Sequence, residues 1–276
     1  MEEKQMKLEY IEKYPNLKDE FNIDKMLSMA REILPSMKLY KYRSGNYNSD
    51  SINYDLQNLN ENKIRITNPS NLNDPFECNA VCKEIVDSLD KKLDEFEIIF
   101  ELKKINKEEY IEKAHNELMK SHYEKFLADL LICSFSESND NILMWSHYSN
   151  AHKGFCIEYD LEKLIKNKAL ILPVVYSVEM PDIDNIFLKN AKKYSSIYTK
   201  SSDWEYEKEW RFILNGNSEG ENLRIDKPTA IYLGCNIDKR LEEDLIKICK
   251  DKEINCYKAK KDSYEYKLNF EEVLIN

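Results

Sequence analysis

Glycine and proline are scarce, with five and seven in 276 residues. A chain this poor in both has few flexible linkers. No repeat, low-complexity tract or Pro/Gly/Ser-rich boundary divides it, so residues 1–276 read as a single domain. No apolar run approaches the roughly 18 residues that a membrane span needs. The opening MEEKQMKLEYIEKYP also lacks the apolar segment of a signal peptide. A cytoplasmic location without a membrane partner is the expectation. The seven cysteines, at 78, 82, 133, 156, 235, 249 and 256, are odd in number and scattered, which fits free thiols in a reducing compartment. Only Cys78 and Cys82 are close, and a three-residue spacer makes a poor zinc half-site, so no metal is expected. Lys and Arg total 41 against 51 Asp and Glu, a formal charge of -10. That deficit of positive charge argues against broad contact with duplex DNA phosphates. Neither a G-x-G-x-x-G fingerprint nor a G-x-S-x-G elbow occurs, which excludes a Rossmann dehydrogenase and an α/β-hydrolase.

What is present suffices for a core, with 42% hydrophobic and 33% charged residues. A helical stripe of Ile11, Phe21, Ile23, Met26, Leu27, Met29 and Ile33 marks residues 1–35 as a helical N-terminal extension. Two further stripes mark 84–128 as a helical-hairpin insertion. Shorter helices are expected over 49–60, 141–148, 183–200 and 238–250. Strand patterns cover 37–43, 63–67, 130–136, 155–159, 170–176, 209–214, 230–234, 255–259 and 264–268, with Pro173 placing the 170–176 strand at an edge. The order lacks regular β-α-β alternation and predicts an α+β fold with mixed or antiparallel central sheets. Residues 68–77, rich in Asn, Asp, Ser and Pro, read as a loop ordered by its own side chains and anchored by Phe76.

Three polar tips stand out: Tyr42-Arg43-Ser44, Ser134-Phe135-Ser136 and Glu207-Lys208-Glu209. Taken singly, an Arg at a strand end suits an ion pair, Ser-x-Ser suits helix capping, and Glu-x-Glu suits a solvated face. If Trp204 to Leu214 is extended, Glu205, Glu207 and Glu209 share one face. Like charges so close destabilise a sheet, so they face either water or something positive. Met144 and Trp145 read as core, Cys133 and Cys156 as buried and inert thiols. His147 is a candidate for binding a phosphate or carboxylate.

Arg, then Ser-x-Ser on a strand entering a helix, then Glu-x-Glu entering a strand, resembles the R–S–E arrangement of the ADP-ribosyltransferase fold. The phrases LYKYRS, RITNPSNLNDPFEC, ICSFSES, ILMWSHYSNAHKGFCIEYD and WEYEKEWRF are also similar to an uncharacterised bacterial domain family that includes AbiGi-type abortive-infection (phage-defence) proteins. Together the resemblances imply a defence or toxin effector that cleaves NAD, its substrate, and passes ADP-ribose to an acceptor or to water. In that reading Glu209 stabilises the ribose cation and Glu207 orients or deprotonates the acceptor. Arg43 pairs with the pyrophosphate, Ser134 holds Glu209, and Ser136 caps the following helix. Tyr42, Trp204 or Tyr206 stack on nicotinamide or present the acceptor, and Glu205 is a solvated neighbour. The acceptor, protein or nucleic acid, and any defence-system partner or antitoxin are left open. Two alternatives stand beside it. One is a nucleic-acid-directed defence enzyme, although the Glu-x-Lys of a two-metal nuclease is missing here. The other is a non-catalytic ligand-sensing module.

Overall fold

The computed structural model describes residues 36–81, 106–166, 170–182, 195–216 and 220–274, together with a few isolated positions. The proposed 1–35 extension and the first helix of the 84–128 insertion lie outside the described residues, apart from those isolated positions, and so does most of the 183–200 helix. Among the described residues, six helices, α1 (Tyr54–Asn60), α2 (Lys107–Ala128), α3 (Ile142–Tyr148), α4 (Leu161–Ile165), α5 (Ser195–Tyr198) and α6 (Lys239–Lys252), accompany twelve strands. The strands are β1 (Lys38–Arg43), β2 (Lys63–Thr67), β3 (Leu130–Ser136), β4 (Phe155–Asp160), β5 (Leu170–Pro173), β6 (Val175–Ser177), β7 (Thr199–Ser201), β8 (Glu209–Asn215), β9 (Gly220–Arg224), β10 (Ala230–Leu233), β11 (Asn255–Lys261) and β12 (Leu268–Glu272).

Ten strands form one sheet and β6–β7 form a small parallel pair. Among the described residues, only β10–β11 run parallel in the large sheet, with α6 as their crossover. The expected α+β class, with a mostly antiparallel sheet, is what the chain adopts. β3 is central. Along one edge it pairs with β8 over its whole length, from Leu130↔Asn215 to Ser136↔Glu209. Its other edge is shared: Ser136 meets Tyr40 of β1, and Ile132 meets Thr67 of β2. Lys41 fills the fork where β1 leaves β3, donating to the Ser134 carbonyl at 2.7 Å and lying 5.7 Å from the Phe135 ring.

Strand alternation sorts the side chains onto two faces. Leu39, Cys133, Phe135, Phe155, Ile157, Trp210, Phe212 and Ile231 face one way and form the main core. That core is covered by α1 through Leu56 and Leu59, by α4 through Leu161, Leu164 and Ile165, and by α6. In α6 the buried Leu241, Leu245 and Cys249 recur every four residues, the spacing that keeps one helical face inward, and Asp238 caps its start by accepting from Arg240 N. The opposite face carries Tyr40, Tyr42, Ser134, Ser136, Glu209 and Arg211, and α3 packs there through Met144 and Trp145.

Four local expectations change. Ser202–Glu207 is a 3-10 turn, so the chain is not extended over the three glutamates, and Lys208 is left-handed at φ 45 before β8 begins. The three glutamates therefore do not share an extended face: Glu205 points to solvent while Glu207 turns inward. Phe76 is 67% exposed and does not anchor its loop. Asn68 does so, donating to the carbonyls of Leu127, Ala128 and Leu130 at 3.0–3.3 Å. The last strand is Leu268–Glu272, because Asp262 accepts from Tyr264 N, Glu265 N and Asn269 Nδ2 and so makes 263–266 a turn. The polar stretch after Gly216 contains β9, paired with β2.

The close approach of the chain ahead of β4 to the end of β1 requires a glycine at 154, where a Cβ would lie 2.0 Å from the Arg43 carbonyl oxygen. Gly154→Ala should therefore destabilise the fold by about 1–3 kcal/mol or more, read as a lower midpoint in urea unfolding.

Candidate functional site

The register of β3 against β8 brings the serine and glutamate tips together. Ser136 lies opposite Glu209, and Ser134 lies opposite Arg211. Directly opposed residues share a face, so all four converge where β3 ends and β8 starts. The turn before β8 is tied to the tip of β3 and the start of α3. Ser136 Oγ donates to Glu207 O at 2.6 Å, Glu137 N donates to Lys208 O at 3.1 Å, and Asn141 Nδ2 donates to Tyr206 O at 2.9 Å. These bonds aim the Glu207 side chain inward beside Glu209. Ser136 does not cap α3, because Asn141 does so, accepting from Leu143 N and Met144 N.

The carboxylates meet two cations that the sequence reading did not single out. Arg211 is fully buried. Its Nε donates to Glu209 Oε1 at 2.8 Å and Nη2 to Glu209 Oε2 at 3.2 Å. Nη2 also donates to Glu77 Oε2 at 2.7 Å, and Nη1 to Ile197 O at 2.6 Å. Lys200, on β7, lies 2.6 Å from Glu207 Oε2, 2.8 Å from Glu77 Oε1 and 3.1 Å from Glu209 Oε2. Its Nζ is 5.0 Å from the Trp204 ring centroid, and the Trp204 indole N–H is held by Asp74 at 2.7 Å. Tyr148, at the end of α3, donates to Glu207 Oε1 at 2.6 Å, and Glu209 N donates to the Tyr176 hydroxyl at 2.7 Å. Three carboxylates thus surround two cations. Among the described residues, no group of three or more His, Cys, Asp or Glu side chains is placed to hold a metal ion.

The two central carboxylates are pushed apart. Burial alone would raise the Glu209 carboxyl. Arg211 and Lys200, with hydrogen bonds from Arg211 and the Ser134 hydroxyl, outweigh it and hold the group at about 2. At Glu207 burial wins: its pKa is raised although Lys200 and Tyr148 oppose the shift, and the neighbouring Glu209 charge adds to it. Burial lowers the Lys200 ammonium less than Glu209, Glu77 and Glu207 raise it, so it stays protonated. Glu209 is therefore a fixed negative charge, and Glu207 is the carboxyl of the pair that takes up a proton more readily.

The other sequence candidates lie elsewhere. Arg43 points to the opposite face of the sheet, because the residue that shares the Ser136–Glu209 row is Tyr40. There Arg43 pairs with Asp55 of α1 at 3.6 Å. Tyr42 is core, edge-on to Trp145, with its hydroxyl on Ser138 O. His147 is exposed at the rim, its ring 6.4 Å from that of Tyr206. Cys133 and Cys156 are buried, as expected. Glu77, Lys200, Arg211, Tyr148 and Tyr176 are members the sequence reading missed. Only Arg211 had a local signal, being two places from Glu209 on a strand and therefore on its face.

The pairing has a pH signature. A depressed carboxylate contributes stability that is complete above its unfolded value, and that is lost as pH falls through the folded one. For Glu209 that window runs from about 4.5 down to about 2. Glu207 acts oppositely: its raised pKa makes its ionisation cost stability as pH rises past the ordinary carboxylate value. Glu209→Gln should flatten the acid limb of stability in that window, measured by urea unfolding at stepped pH. Arg211→Met, which strands two buried carboxylates, should cost about 3–5 kcal/mol at pH 7.

Residues 144–212 match the family described as a protein of unknown function, DUF2971. That stretch runs from α3 into β8 and contains Tyr148, Tyr176, Lys200, Glu207, Glu209 and Arg211, while Glu77 and Ser134 lie outside it. No curated protein and no solved structure matches the chain. No helix among the described residues is long and apolar enough to cross a membrane.

Proposed function

We propose that the protein cleaves NAD at the nicotinamide–ribose bond and transfers ADP-ribose to an acceptor or to water, as a cytoplasmic bacterial defence or toxin effector. The observation that carries this reading is the pair Glu209 and Glu207, side by side where β3 meets β8 and separated in proton affinity. Breaking the bond leaves a cation-like ribose, comparable with the oxocarbenium state of glycoside cleavage. A carboxylate held ionised at about 2 and fixed by Arg211 and Ser134 suits the stabilisation of that charge. A neighbour with a raised pKa suits removal of the acceptor proton. Such separation of two carboxylates is how one site supplies both roles. Trp204, Tyr206 and His147 offer aromatic surface at the rim for a planar ring. The resemblance of the three polar tips to the R–S–E order supports the same chemistry, with Ser134 and Glu209 in its S and E places. Arg43, paired with Asp55, is left out of the site in this reading, and the pyrophosphate partner is unassigned.

A second reading, a non-catalytic ligand-sensing module, draws on the closure of the cluster. Glu207 and Glu209 are buried and every charge is paired, as in structural ion networks.

Incubation with NAD labelled in the nicotinamide separates the two. Release of nicotinamide is expected, falling by about a hundredfold or more in Glu209→Gln. In Glu207→Gln, transfer should fall more than cleavage, and the rise of rate with pH through the raised Glu207 pKa should vanish. Absence of both NAD turnover and NAD binding would sink the transferase reading, while binding without turnover would favour the sensor.

A further inference from the structure

The two cations of the cluster are held very differently. Arg211 sits in β8, hydrogen-bonded to β3 on one side and β5 on the other, and its planar fork is engaged at every corner. Lys200 reaches the same carboxylates on a flexible four-carbon stem from β7, a three-residue strand paired only with the three-residue β6, outside the large sheet. The pair itself is tied to the site, Tyr176 of β6 accepting from Glu209 N and the Ile197 carbonyl ahead of β7 from Arg211, so movement of the ammonium falls to the lysine stem. The Lys200 ammonium also lies against Trp204, so its seat combines two or three carboxylates with the face of an indole. An aromatic face beside carboxylates is how a delocalised organic cation is recognised. A lysine occupies that seat, and the charge it supplies there is one that a flat cationic ring also carries.

Resting on the NAD reading above, we infer that Lys200 is a built-in competitor for the positively charged nicotinamide ring. In the closed state its ammonium fills the place the ring takes, neutralising Glu207 and Glu209 until substrate arrives. Charge balance favours such an exchange. Withdrawal of Lys200 alone would leave the buried Glu207 carboxylate without a cation, since Arg211 pairs only with Glu209 and Glu77. The lysine therefore leaves readily only when another cation enters. Specificity follows as well: a neutral ring of the same shape cannot replace the charge, so the site discriminates the oxidised from the reduced dinucleotide. Lys200 is in this sense a specificity-determining residue, and the fixed Arg211 keeps the carboxylates in place during the exchange.

The test uses the full chain and the N-methylnicotinamide cation, with neutral nicotinamide as its control. Binding is followed by tryptophan fluorescence and by the shift in melting temperature, in the wild type, Lys200→Ala and the double variant Lys200→Gln/Glu77→Gln. The double variant removes one charge of each sign and so preserves the formal charge of the cluster. Both variants should bind the cation at least about tenfold more tightly than the wild type, because the resident competitor is gone, and neither should gain affinity for the neutral ring. Lys200→Arg, which keeps a cation in the seat, should not gain. Equal gains for neutral and charged rings, or no gain for either, would overturn the inference. Loss of the fold in both neutralised variants would place Lys200 in the framework and overturn it as well. Because ring binding needs no turnover, a gain in the variants with no NAD cleavage by any form would leave the cation seat standing and remove the transferase reading. NAD cleavage without the gain would do the reverse.

Discussion

A fully buried guanidinium governs the arrangement around it. Arg211 lies in the middle of the sheet with no solvent contact, and an unpaired charge there would cost more than most domains have in net stability. It has to be met from all sides. Glu209, two residues earlier on the same strand face, takes two of its N–H groups, Glu77 comes in from the 68–79 loop, and the Ile197 carbonyl closes the third corner. Three remote parts of the chain are thereby brought to one point, and the loop's polar sequence gains a reason to be ordered.

The excess carboxylate charge this creates then calls for a second cation. Lys200 supplies it from the small β6–β7 pair, and the 3-10 turn, tied down by Ser136 and Asn141, brings Glu207 against it. One cation belongs to the large sheet and the other reaches in from outside it. One carboxylate is held ionised by two cations, while its neighbour, with less compensation for its burial, takes up a proton more readily.

Most elements could be read from local pattern. KIRIT, LLICSFS and FCIEYD alternate or run apolar as strands do, and the four-residue recurrence of Leu241, Leu245 and Cys249 marks a helix. The errors fell where a side chain overrode the pattern. Glu205, Glu207 and Glu209 would share a face only on an extended chain, but Ser201 caps a 3-10 turn there. Tyr264 and Tyr266 look like strand residues, but Asp262 gathers the backbone into a turn. Phe76 looked like an anchor because it is large and apolar. Its neighbour Glu77 went inside instead, because Arg211 and Lys200 were waiting for it.

The residue types and their order along the chain were sufficient to predict an α+β fold and most of its strands, and the order of motifs led to the expectation that Ser134 meets Glu209. Each of these follows from short-range periodicity or from a family-like order of motifs. Which charges would meet could not be read in this way. Glu77 is 134 residues from Arg211 and 123 from Lys200, and no local rule links positions so far apart. Arg43 shows the converse. It ends a strand that runs beside the site, but alternation points it through the sheet to Asp55. Register and face, set by how β1, β3 and β8 pair, decided that the positive partners of the glutamates are Arg211 and Lys200.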